Sequence, residues 1–133
     1  MKRVIIAVAM VVFLITLAAT SNIIINRQMR SIYEDTKEIS ESFKSLSEKE
    51  LKTKCEIIYK KWQKTESLLH FFDSHDKYEN ISEHFGMLEL SVKKSDTAET
   101  LELVDEIRNL INNYIENRRI NWHNVLIITK ELQ

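Results

Sequence analysis

The chain has 133 residues with no proline, one glycine and one cysteine, and a formal net charge of -1 spread over interspersed acidic and basic side chains. Charge so evenly mixed excludes the concentrated basic face that nucleic-acid binding requires, and a lone Cys55 excludes an internal disulfide or a zinc site built on paired thiolates. Almost nothing in this composition turns a tight hairpin or breaks a helix, so it predicts an all-α protein with room for one modest core.

The first element is an uncharged stretch over residues 4–25, opening at Val4 and closing at Ile25, in which VIIAVAMVVFLITLAA is interrupted by Thr20, Ser21 and Asn22 before Ile23 resumes it. At 1.5 Å per residue, about 22 residues cover roughly 33 Å, close to the hydrocarbon thickness of a bilayer. Met1, Lys2 and Arg3 make a short positive start, which also begins a cleavable signal peptide, but the apolar stretch is longer than a signal core and continues past the small residues around Ala18. The expectation is an uncleaved transmembrane signal anchor over residues 1–26, with the lipid bilayer as its partner and the rest of the chain outside the cytoplasmic membrane.

A thin apolar face at Met29, Ile32, Ile39, Phe43 and Leu46 continues the helix as a stalk over residues 27–46. Ser47 and Glu50 then form a capping-box pair. The helix behind them is the best patterned in the chain, with Leu51, Cys55, Ile58, Trp62, Thr65, Leu69 and Phe72 alternating by four and three, widened by Leu68 and Phe71. Cys55 on that stripe reads as a buried, inert thiol, and Trp62 as a ring filling the core.

Asp73, Ser74, His75 and Asp76 make a polar corner. A second stripe follows at Tyr78, Ile81, Phe85, Leu88 and Val92, with Gly86 inside it as a mark of close helix approach, of a kink, or of neither. Asp96 and Glu99 form a second capping box, and Leu101, Leu103, Val104, Ile107, Leu110, Ile111, Tyr114 and Ile115 cover one face of the next helix. The helical signal weakens around Asn112, Asn113, Asn117 and Asn121, and a short apolar segment with Trp122, Val125, Leu126, Ile127, Ile128 and Leu132 closes the chain. A shift of 49 residues superposes Cys55, Ile58 and Trp62 on Val104, Ile107 and Ile111. The expected architecture is therefore an N-terminal transmembrane helix followed by an antiparallel helical bundle of about four helices, made of two stacked hairpins, with the bundle domain over residues 47–133.

The densest set of reactive side chains is His70, Asp73, His75, Asp76, Glu79, Glu83 and His84, at the corner between the two stripes. His75 and Glu79 are one turn apart with Asp76 beside them, which makes these three the candidate ligands of a divalent cation. No HExxH spacing accompanies them, and helix starts collect Asp, Glu and Ser because the dipole and the free amides favour them. The preferred reading is a capped, solvent-facing corner, with no metal, cofactor or catalytic residue assigned. No Gly-rich phosphate loop, nucleophile elbow or CxxC pair is present, and Asn80-Ile81-Ser82 matches a glycosylation acceptor that matters only in a eukaryotic secretory pathway.

The basic start and apolar helix, the step Trp62-Gln63-Lys64 leading to Leu69 and Phe72, the corner from His75 to Ile81, and the late Asn124-Val125-Leu126 together resemble the DUF4363 family, a domain of unknown function in short membrane-anchored helical proteins of Gram-positive, often spore-forming, bacteria. After the corner histidine this chain has Asp76, Lys77 and Tyr78 where the family resembles two acidic residues and a leucine. The resemblance implies a bacterial membrane protein with no assigned activity and brings no catalytic residues. The functional expectation is a non-enzymatic, single-pass membrane protein whose bundle binds a protein partner in or at the membrane, or a second copy of itself. The alternatives are a sensory module that holds a small ligand between its helices and, behind it, a metal-binding protein that uses the His75 corner.

Overall fold

The computed structural model describes residues 1–131 of the chain. Four α-helices, α1 (Lys2–Ser42), α2 (Glu48–Phe72), α3 (His75–Lys93) and α4 (Thr97–Glu131), are joined by a short 3-10 turn at Phe43–Ser45 and by two tight corners. Each helix packs on two neighbours in the cyclic order α1, α2, α3, α4 and back to α1. Side-chain pairs fix the directions: Lys54 meets Glu38 and Lys61 meets Asp35 between α1 and α2, Ser82 meets Glu66 between α2 and α3, His84 meets Glu106 between α3 and α4, and Ser40 meets Asp105 between α1 and α4. Every neighbouring pair is antiparallel, so the α1/α2 hairpin stacks on the α3/α4 hairpin as the expected bundle.

The core lies where the stripes meet. Leu51, Cys55, Ile58, Trp62, Thr65 and Leu69 of α2 and Tyr78, Ile81, Phe85 and Leu88 of α3 are all buried, and they face Leu103, Val104, Ile107, Ile111 and Tyr114 of α4. Trp62 stacks on Phe85 with ring centroids 5.3 Å apart and meets the edge of Tyr78 at 6.5 Å. Both predicted caps form, with the Ser47 hydroxyl accepting from the Glu50 amide at 3.2 Å and the Asp96 carboxylate from the Glu99 amide at 3.1 Å. Each satisfies one of the amides a helix start leaves open.

Three expectations are modified. The segment expected as a stalk is not separate from the bundle, because Ile25, Met29, Ile32, Thr36 and Ile39 form a buried seam at spacings of three and four against α2 and α4. Burying each such aliphatic side chain contributes about 1.5–3 kcal/mol, far more than helix propensity alone. At the other end α4 runs on through Asn112, Asn113 and Asn117 to Glu131. Those asparagines are exposed, so their poor propensity is outweighed by the burial of Ile111 and Tyr114 on the opposite face. Of the expected terminal segment, Ile127 is exposed, while the side chains of Trp122, Val125, Leu126 and Ile128 and the whole of Leu132 lie outside the described residues. Finally, Phe71 and Phe72 do not extend the α2 stripe into the core, since they are 84% and 41% exposed.

α1 is one helix in two environments. All of residues 1–20 are exposed and Ser21 is the first buried residue, so a sleeve of outward-facing Val, Ile, Leu and Phe side chains continues without a break into the bundle seam. This helix is long and apolar enough to cross a membrane.

Candidate functional site

The functional geometry concentrates at the end of the bundle next to the exposed apolar half of α1. Lys61 of α2 meets Ser31 and Asp35 of α1, and the remaining three turns of α2 descend antiparallel to α1, about 16 Å, to the level of Asn22. There Asp73 caps α2, its amide donating to the Leu69 carbonyl at 2.9 Å. Its carboxylate gathers four donors. Oδ1 accepts from the Ser74 amide at 2.9 Å and faces Lys77 at 3.2 Å, while Oδ2 accepts from the Tyr114 hydroxyl and has Arg118 at 3.9 Å.

Arg118 extends this chain of contacts across the bundle. It donates to the Tyr114 hydroxyl at 2.8 Å and to the Asn22 side-chain oxygen. Four residues from α1, the α2/α3 corner and α4 are thereby joined where Asn22 interrupts the apolar run. Burial raises the Asp73 carboxyl, but the Tyr114 and Lys77 donors and the Ser74 amide outweigh it and hold the group below its usual range. Burial, then the bond to Asp73, pushes the Tyr114 phenol up despite the opposing Arg118 charge.

The corner histidines divide between two places. His70 Nδ1 lies 2.8 Å from the Tyr78 hydroxyl, and its Nε2 is 3.6 Å from Glu66. His75 stacks on His70 at 6.2 Å and meets the edge of Tyr78 at 5.2 Å. His84 turns to α4 instead, with Nδ1 donating to the Asn80 carbonyl at 2.7 Å and Nε2 3.2 Å from Glu106. Among the described residues no group of three or more His, Cys, Asp or Glu side chains could hold a metal ion, so His75, Asp76 and Glu79 do not converge as ligands. One turn of spacing places side chains on a common face, but His75 is drawn to the aromatic edge of Tyr78.

Beside Arg118, α1 and α4 part to leave a cleft of about 770 Å3 whose walls include Asn26, Arg30, Ile115, Glu116, Arg119 and Ile120. Three guanidinium groups face it against one carboxylate. Arg30 and Arg119 make no ion pair among the described residues. Sequence reading missed Asn22, Tyr114 and Arg118; the only available signal was that polar Asn22 interrupts an apolar run.

Residues 19–125 match the family described as domain of unknown function (DUF4363). The chain belongs to that family. The DUF4363 match begins two residues before Ser21, where the side chains of α1 become buried, so the family unit includes the bundle half of α1 together with α2, α3 and most of α4. Residues 1–18, the greater part of the apolar sleeve, lie outside it. No curated protein and no solved structure matches this DUF4363 chain.

Proposed function

We propose that this DUF4363 protein is a single-pass, membrane-anchored interaction module whose helical bundle stands outside the cytoplasmic membrane and has no enzymatic activity. The observation that carries the reading is α1 itself, whose first half turns aliphatic side chains outward on all sides while its second half is a core helix of the bundle. A span fused in this way to a folded domain transmits position rigidly and ties the domain to the membrane surface. Met87 and Leu90, one turn apart on the outer face of α3 and about half exposed, give a protein partner an apolar contact away from the membrane. Lys2 and Arg3 before the span are balanced by Arg27, Arg30 and Lys37 after it, so the orientation rests on the three-residue head, which a signal-like helix keeps in the cytoplasm.

Carbonate washing of isolated membranes tests the anchor, with retention expected and release into the wash counting against it. Orientation is read with a new thiol at an exposed position, Lys94→Cys in a Cys55→Ala background, labelled in intact cells by an impermeant maleimide. The native thiol is unsuited, since Cys55 is 3% exposed and burial, then the charge of Glu56, pushes it up to about 11. Labelling only after lysis reverses the orientation. A photo-crosslinking side chain at Met87 is expected to trap a second polypeptide, and a chain that remains monomeric and uncrosslinked in membranes overturns the interaction reading.

A further inference from the structure

We infer that the α1/α4 cleft is a binding site for the headgroup of an anionic phospholipid. The inference rests on the membrane-anchored reading and gives it a ligand.

The all-round exposure of α1 ends at Thr20, with Ile23 and Ile24 still exposed on one side, and Asn22, in the next turn, is held by Arg118. Each polar zone of a bilayer is about 5–8 Å thick, so Arg118 and its neighbour Arg119 stand at headgroup depth once the sleeve is in hydrocarbon. Arg30, about 12 Å further along α1, closes the upper side of the cleft.

Guanidinium groups bind phosphate oxygens in a bidentate fork. Arg118 is already oriented by Tyr114 and Asn22, whereas Arg30 and Arg119 have no carboxylate partner among the described residues. The cleft is also amphiphilic. Ile115 and Ile120 line it beside the arginines, and Ile120 is 54% exposed, which suits the glycerol and first methylenes of a lipid better than a free anion.

A separate observation points to the same surface. Phe71, the most exposed large apolar residue after Met1, sits two residues before Asp73, at the same level as Asn22. An exposed phenyl ring there has no partner within the bundle but fits the bilayer interface. Phe71 on α2 and Ile120 on α4 would bracket the arginines as the end of the bundle settles on the membrane.

The test is native mass spectrometry of the full chain in dodecyl maltoside, titrated with dioleoylphosphatidylglycerol, dioleoylphosphatidylcholine or inorganic phosphate. The wild type is expected to retain phosphatidylglycerol at least about fivefold better than phosphatidylcholine. Arg30→Gln combined with Arg119→Gln abolishes that preference, whereas Lys52→Gln combined with Lys94→Gln, the same charge loss at the far end of the bundle, leaves it. Glu116→Gln, which removes the cleft's carboxylate, raises retention, a gain that misfolding cannot produce. Equal retention of both lipids, or a preference that survives loss of the two arginines, overturns the site. Retention of inorganic phosphate equal to that of phosphatidylglycerol, lost with the same two arginines, assigns the cleft to free anions and overturns the lipid. Release of the chain by carbonate refutes the anchor, whereas a retained chain without lipid preference refutes only this inference.

Discussion

The Tyr114 hydroxyl donates to Asp73 Oδ2 across 41 residues of sequence, tying the cap of α2 to the face of α4 at the end of the bundle nearest the apolar sleeve. Asp73 also takes the Ser74 amide and Lys77, so its carboxylate is the centre of the corner. Removing one partner of a buried, charge-assisted bond costs about 1–3 kcal/mol. Tyr114→Phe and Asp73→Asn are each expected to lose stability in that range, and the double variant less than their sum, with a coupling of about 1–2 kcal/mol. Thermal melts of the four proteins in detergent measure the cycle; strict additivity would show that the contact contributes nothing.

The same carboxylate gives a dependence on pH. Because its folded-state pKa lies below the usual range, the unfolded chain takes up the proton first as pH falls. The stabilisation is therefore fully present above the ordinary carboxyl pKa of about 4 and is lost as pH falls through the lower folded value. The stability difference between the wild type and Asp73→Asn is expected to be constant from pH 7 to about 5 and to narrow below about 4. A gap that stays constant down to pH 2 would assign the cost of the variant to packing.

How far the fold could be read from the sequence follows from which forces are local. The α2 stripe from Leu51 to Leu69 was legible because each apolar residue has its partner three or four positions away. The α1 seam was harder, since Ser21 and Thr36 stand in it as polar residues. Both are buried, and each donates to a backbone carbonyl within its own helix, Ser21 to Leu17 and Thr36 to Tyr33, so they pass as core residues. Phe71 and Phe72 continue the pattern into the last turn of α2, just before Asp73 ends the helix, yet they stay exposed, and periodicity alone carries no mark of where the core stops. The candidate site was least legible. Asn22 and Arg118 are 96 residues apart, and no local spacing encodes their meeting; the corner was visible as a cluster of types, but not which of its members would turn inward.

Trp62 is 1% exposed and stacked on Phe85, yet its indole Nε1 has no hydrogen-bond partner among the described residues. Two opposing terms meet at this side chain, a large favourable burial and the desolvation of an orphan donor. Trp62→Ala is expected to cost about 3–5 kcal/mol through the cavity it leaves. Trp62→Phe keeps the stacking and removes the orphan, so its cost is expected to stay below about 1.5 kcal/mol. Melting temperatures compare the two, and a phenylalanine variant as damaged as the alanine one would show that the indole nitrogen is satisfied.

Gly86 sits in the middle of α3, where glycine costs about 1 kcal/mol relative to alanine. A Cβ added there would meet nothing within 4 Å, so the residue marks no close approach of helices. Gly86→Ala is expected to raise stability by about 0.5–1 kcal/mol, read as a higher melting temperature. Destabilisation would mean that the groove beside Trp62 is occupied in the native protein.

The reverse holds at the end of the same helix. The Ser95 amide donates to the Val92 carbonyl and the Asp96 amide to the Ser91 carbonyl, each at 3.1 Å, the paired bonds of a Schellman cap. That cap needs a left-handed residue at Ser95, whose φ is 55°. A side chain in this region crowds the following carbonyl and costs about 1–2 kcal/mol, which glycine avoids. Glycine also loses more entropy on folding, so Ser95→Gly is expected to gain about 1 kcal/mol at most. Because Ser95 and Gly86 share no contact, the gain should add to that of Gly86→Ala. Melts of the two single variants and the pair test this. A Ser95→Gly protein no more stable than the wild type would show that the extra entropy glycine loses on folding cancels the relief of strain.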